Sequence, residues 1–257
     1  MADYRKLESP ILLEVVEQSI SARMFFKTGQ SPKEVGFLSP EMEPVVAQCR
    51  KQNALWFALA EDINRTAQAT LTKYKIGPDE TSAQHLFGLL LLIRTLSNFQ
   101  GGLLMAERGM VVEARTLFRS CFENVFWLGA LLKDGDNFIA DIMGDEVAST
   151  KSKARWVMRD PSRLEFSGPN AVARLQARVD EMEKAWGKVS GQGLGDAAKR
   201  GGLGDAYIYY KVLSGDAAHP SVSAMNRYVL RSRNSMTGIT CGPFLDEVSG
   251  STAVARR

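Results

Sequence analysis

A chain of 257 residues with 45% apolar residues, 24% charged residues and a net charge of +3 has the make-up of an ordinary globular protein, large enough for one extended core or two small ones. The slight positive balance permits contact with phosphates but excludes the strongly basic footprint of a dedicated nucleic-acid binder. Cys49, Cys121 and Cys241 are odd in number, far apart and in no CxxC pair, which excludes a disulfide framework and a zinc knuckle and leaves reduced thiols.

Ser9-Pro10 is an N-cap and first-turn pair that opens a helix with apolar positions Leu13, Val16, Ile20 and Met24, ending before Gly29. Ser39-Pro40 followed by Glu41 and Glu43 repeats the signal, and the spacing predicts one helix through Trp56 and Ile63 to about Lys75, stopped by Gly77-Pro78. Thr81 or Ser82 caps the next helix, which runs to about Glu107 with Gly101-Gly102 able to kink or loosen its end. Its apolar run Leu86 to Ile93, like Val125 to Leu132 further on, is far shorter than the roughly 20 residues that cross a bilayer. The opening MADYRKLESP lacks the apolar core of a secretory signal. A cytoplasmic protein without membrane contact is therefore expected.

Gly109 turns the chain into a helix whose segment Met110 to Leu132 is apolar except for Glu113, Arg115, Arg119 and Glu123. Asp134-Gly135-Asp136 ends it and caps another helix to about Arg159, before Pro161. Ser162 to Pro169 reads as a linker, and Asn170 to Val189 as an amphipathic helix with Val172, Leu175, Val179, Met182 and Trp186 on one side. Ser190 to Gly204 holds six glycines with Lys199 and Arg200, a composition that predicts a mobile loop. Two short helices divided near His219-Pro220 follow, and beyond Arg233 the helical pattern fades. No long stretch alternates with period two. The expected architecture is all-α: an N-terminal helical extension (1–80), a core bundle (81–233) and an irregular tail (234–257), with about seven helices in all.

Arg115, Arg119 and Glu123 are four apart, so two guanidiniums and a carboxylate share one face of a helix that otherwise belongs in the interior. Such groups need partners when buried. An i,i+4 pair contributes only about 0.2–0.5 kcal/mol, and arginine before glutamate is the weaker orientation. Two readings stay open: a buried polar network that fixes helix register, or a ligand or catalytic site. Arg94 on the preceding helix is a further candidate for the same cluster.

His219 follows a tyrosine-rich helix with Tyr207, Tyr209 and Tyr210 and is either structural or catalytic. Asp216 and His219 have the spacing of half a di-iron site, but the other half is missing, so no metal is expected. Gly191, Gly193 and Gly195 complete neither GxGxxG nor GxxxxGK[ST], no GxSxG elbow is present, and no cofactor is expected. Lys151, Lys153, Arg155, Arg159 and Arg163, with Arg174 and Arg178, read as a solvated face or a surface for phosphate backbone.

ARTLFRSCFENVFWLGALL, then Trp186, then GLGDAYIYYKVLSGDAAHPS together resemble a bacterial all-helical family of unknown function with the patterns R-x-x-x-E and Y-x-x-L-S-x-x-x-x-H-P-S. The positions that match are Arg119, Glu123, Tyr210, Leu213, Ser214, His219, Pro220 and Ser221, within a resemblance spanning roughly Ser82 to Arg233. It implies that Arg119, Glu123, Tyr210 and His219 gather in space. A looser resemblance is to HEPN-type helical domains, many of them metal-independent ribonucleases of toxin and phage-defence systems with R-x(4 to 6)-H on one helix. No arginine stands five to seven residues before either histidine here. That resemblance implies His219 as the proton carrier, Arg119 and Arg115 as stabilisers of phosphorane charge, and Tyr210 and Glu123 as orienting groups.

The functional expectation is binding, or binding and hydrolysis, of a phosphate-bearing ligand, RNA or a nucleotide, at a pocket of Arg119, His219 and Glu123 with Arg115, Tyr210, Ser214 and Arg94. The alternative is an interaction or scaffold protein whose cluster only sets helix register. A homodimer or another protein partner fits either reading.

Overall fold

The computed structural model describes residues 31–73, 82–160, 168, 170–187, 193–217, 221–232, 235–239 and 242. Among these a short α1 (Pro32–Val35) leads to α2 (Glu43–Gln52) and α3 (Ala54–Lys73). Where the sequence predicts one helix there are two, because Asn53 leaves helical geometry (φ −120°, ψ 30°) and donates its side-chain amide back to the Cys49 carbonyl. Asparagine competes for the backbone in this way and favours helix ends. The expected helix from Ser9-Pro10, the Gly77-Pro78 stop and the His219-Pro220 divide lie outside the described residues.

The fold is organised by a helical hairpin of α4 (Ala83–Glu107) and α5 (Val111–Met158). Ser82 caps α4, its Oγ accepting from the His85 amide at 3.4 Å. Gly109, at φ +79°, makes the turn between the two helices, a conformation glycine adopts without steric cost. The helices run antiparallel and close. The Cys121 thiol donates to the Thr95 carbonyl at 3.5 Å, and a Cβ on Gly102 would sit 2.7 Å from the Phe118 ring. Gly101-Gly102 therefore does not break α4. It lets an aromatic ring from α5 approach the backbone.

Helix α5 bends at Gly135 (φ 49°, ψ −120°), where the sequence places its Asp-Gly-Asp break. The Leu131 carbonyl, one turn before the bend, accepts from Gln84 Nε2 at 3.1 Å, so this interior acceptor is satisfied. Around the bend lies the core of Ala130, Leu131, Phe138, Ile139, Ile142 and Ala197, with Phe87, Leu91, Trp127 and Met143 against it.

The remaining elements are laid along α5: α6 (Ala171–Trp186) on its second half, α7 (Leu194–Arg200) at the bend and α8 (Tyr207–Ala217) on its first half. Residues 194–200 correct the expectation of a mobile glycine-rich loop. They form a helix with Ala197 and Ala198 wholly buried, and the glycines around it permit close packing. After α9 (Val222–Met225), β1 (Val229–Ser232) pairs antiparallel with β2 (Ser235–Ile239). The expected boundary at 233/234 falls between these two strands, and residues 235–239 of the expected irregular tail are strand. The architecture is otherwise all-α, as read from sequence.

Helix α4 alone among the described helices is long and apolar enough to cross a membrane. One side of it is nonetheless engaged by α5, a helix that carries charged residues on both sides of its apolar Val125 to Leu132 run.

Candidate functional site

Tyr210 and Ser214 are four residues apart on α8 and Arg119 and Glu123 four apart on α5, so each pair shares a helical face. Where α8 lies on α5 the faces meet. Arg119 donates from Nε to Ser214 Oγ at 3.0 Å and from Nη2 to the Tyr210 hydroxyl at 2.9 Å. The same Nη2 is 2.7 Å from Glu123 Oε1. The guanidinium carbon also stands 5.0 Å from the centre of the Tyr210 ring, within cation–π range. Arg119 and Glu123 side chains are 23% and 29% exposed, so the cluster sits at the edge of the interior.

Arg115, one turn earlier, donates from Nη2 to the Val212 carbonyl at 3.3 Å. Beneath the cluster an aromatic ladder seats α8: Tyr207 stacks on Tyr210 with centroids 5.4 Å apart, and both pack on the fully buried Phe126. Phe122 faces Tyr209 at 6.2 Å.

Of the sequence-predicted site residues, the structure brings together Arg119, Glu123, Tyr210 and Ser214, with Arg115 beside them on α5, bonded to the backbone of α8. Arg94 is exposed on α4, and no bond joins it to the cluster among the described residues. His219 lies outside the described residues. Among the described residues no three histidine, cysteine, aspartate or glutamate side chains gather as a cation site.

A second arginine cluster went unread in the sequence. Arg200, the last residue of α7, donates from Nε to Asp134 at 2.6 Å and also pairs with Asp141, thereby joining the two sides of the α5 bend. Its guanidinium stands 5.4 Å from the Phe138 ring centre. Hydrogen bonds from Asn137 and Arg200 hold the Asp134 carboxyl below its ordinary range. The available signal was Asp134 beside Gly135, which spacing assigns to a turn and not to a partner 66 residues away.

The basic run on α5 is only partly a solvated face. Lys151 is buried and lies 3.0 Å from Glu183 on α6, which Arg155 also reaches at 2.6 Å. Arg50 on α2 likewise bridges Glu61 at 2.7 Å and the buried Glu107 at 2.9 Å. Each of these pairs ties two helices together.

A family model described as a family of unknown function (DUF5677) matches residues 85–236, more than half of the chain, from the first turn of α4 into β2. No curated protein and no solved structure matches the chain.

Proposed function

The chain belongs to this family of unknown function (DUF5677), and we propose that it is a helical interaction protein in which Arg119 is a structural clamp between α5 and α8. The supporting observation is the use of the guanidinium: Nε and Nη2 are spent on Ser214, Tyr210 and Glu123, and its face lies on Tyr210. A group so engaged is oriented by four contacts before any ligand arrives. Its charge is already met by a carboxylate.

Urea unfolding of wild type and Arg119→Met, beside titrations of fluorescent single-stranded RNA and a nucleotide at low salt, tests this. Removing one member of a buried ion pair costs about 3–5 kcal/mol. The partial exposure of both side chains reduces this to about 2–3 kcal/mol for Arg119→Met. The expected result is that loss, with neither probe bound by wild type. Unchanged stability together with loss of RNA binding would overturn the clamp.

A second reading, a phosphate-bearing ligand such as RNA or a nucleotide, is favoured by one observation. Among the described residues Arg119 Nη1 has no partner, and the side chain is 23% exposed, so a donor edge faces outward one turn from Arg115. In this reading Arg119 and Arg115 stabilise phosphoryl charge, Tyr210 and Glu123 orient, and His219 carries the proton in a toxin or phage-defence ribonuclease.

A further inference from the structure

Among the described residues, helices α3 and α4 leave large apolar faces uncovered. On α4, Leu86, Leu90, Ile93 and Leu104 are each about half exposed. Leu86, Leu90, Ile93 and the exposed Ser97 recur at alternating steps of four and three, the seam of a helix that packs on another helix, while the next step, Gln100, is taken by α3, its amide donating to Asn64 at 2.9 Å. On α3, Phe57 is the only buried side chain of twenty residues, while Leu55 is 87% exposed and Trp56 73%. Trp56, Leu59 and Ile63 continue the three-and-four spacing there. Single exposed apolar residues are ordinary, but contiguous rows of them mark an interaction surface.

We propose that a second copy of this chain covers both faces, in a twofold dimer whose seam is α4 with α3 at its flank. This deepens the reading of the chain as an interaction protein and names the partner. Area decides that both helices take part. At 1.5 Å per residue the 25 residues of α4 and 20 of α3 span roughly 37 and 30 Å, and a helix about 10 Å wide gives footprints of roughly 370 and 300 Å². A stable interface takes roughly 800 Å² from each partner. Either face alone falls well short, and the two together approach it.

Charge favours a like partner. Between Ala83 and Ala106 the only Asp, Glu, Lys or Arg is Arg94, so two α4 helices brought side by side meet almost no like-charge repulsion. A twofold interface uses the same patch on both copies, and a nearly uncharged apolar row is complementary to itself. The opposite side of α4 is held by α5, so the exposed row is one face of a packed helix.

The test is sedimentation velocity of the full chain from about 1 to 50 μM, beside Leu90→Asp/Ile93→Asp on α4 and Leu59→Asp/Ile63→Asp on α3. All four positions are solvent-facing in the single chain, so both variants should keep the wild-type circular dichroism spectrum and melting temperature measured at the lowest concentration. The expected result is a wild-type dimer, with each variant raising the dissociation constant about a hundredfold or more, because each buries uncompensated charge. A monomeric wild type at 50 μM, or variants that still dimerise with wild-type affinity, would overturn the proposal. So would a wild type that is monomeric alone but floats with phosphatidylcholine–phosphatidylglycerol vesicles, which would assign the face to a lipid surface. A monomer with the Arg119 result intact overturns the dimer alone. RNA binding that is lost with Arg119 while stability is unchanged overturns the clamp alone.

Discussion

Gly201→Ala is the substitution for which the structure gives the sharpest expectation. Gly201 follows α7 with ordinary helical geometry (φ −75°, ψ −3°), so alanine introduces no backbone strain and any effect is steric. Its Cβ would lie 2.8 Å from Ala130 N and Gly129 C and 3.0 Å from Gly129 Cα. These atoms are backbone of α5 and cannot rotate away. To restore an ordinary contact of about 3.4 Å or more, α7 must retreat by roughly 0.6 Å or more, and a gap of that size forfeits about a quarter to a half of each dispersion contact it opens. The contacts at stake are those of Ala197 and Ala198, both wholly buried, and the bonds of Arg200 to Asp134 and Asp141. Overpacking usually costs about 1–3 kcal/mol, and with rigid atoms on both sides the upper end applies, about 3 kcal/mol. Gly88→Ala is the control. In the second turn of α4 its Cβ would meet only Leu131 and Leu128 methyls at 3.7 and 3.8 Å, so the helix propensity of alanine should stabilise the protein by about 0.5–1 kcal/mol. Urea unfolding followed by circular dichroism measures both changes. A Gly201→Ala variant within about 0.5 kcal/mol of wild type would refute the backbone-to-backbone seating of α7.

Two further outcomes follow from local electrostatics. Because Asp134 is held below its ordinary range by Asn137 and Arg200, its contribution is complete above the unfolded carboxyl pKa of about 3.9 and is lost as pH falls through the lower folded value. Asp134→Asn should therefore flatten the fall in urea midpoint between about pH 5 and pH 2 relative to wild type, and a parallel fall in both would count against the Arg200 pair. Burial pushes the Cys121 thiol up to about 11. At pH 8 that leaves about one thiol in a thousand ionised, against about a quarter for a free cysteine. In a Cys49→Ser/Cys241→Ser background a disulfide reagent should react with Cys121 more than about a hundredfold slower than in urea, and equal rates would mean that α4 and α5 part readily there.

What could be read from sequence was what local chemistry encodes. Ser82 as a cap, Gly109 as a turn and the Asp134-Gly135-Asp136 break each depend on residues within a turn of one another, and each stands where the sequence puts it. The glycines of 190–204 misled because composition reports the conformational freedom of a segment and not what it packs on. Gly201 is a glycine because α5 backbone lies against it, and that neighbour is some 70 residues away. The Arg200 cluster was hidden for the same reason: its acids and its base come from different helices. Helix α3 was read as the continuation of α2 because one asparagine at helical spacing is a weak stop signal, and only the geometry at Asn53 separates them.

The Arg119 stripe lies between these cases, and its halves explain one another. Alone, Arg119 and Glu123 form an i,i+4 pair in the weaker orientation, and Tyr210 and Ser214 are a hydroxyl pair with no stated purpose. Each fragment places two polar groups on one helical face, and one charged fork satisfies three of the four groups at once when the faces meet. The cluster therefore couples α8 to α5 as a unit. It also sets the terms for any ligand. An anion approaching Nη2 must displace Glu123 and contend with its charge, whereas one approaching Nη1 meets a guanidinium whose charge is already compensated. Either route makes anion affinity rise when Glu123 is replaced by glutamine, and the clamp reading requires that the same substitution weaken the attachment of α8. The two changes have opposite value to the protein, which is why a single carboxylate distinguishes a joint from a binding site.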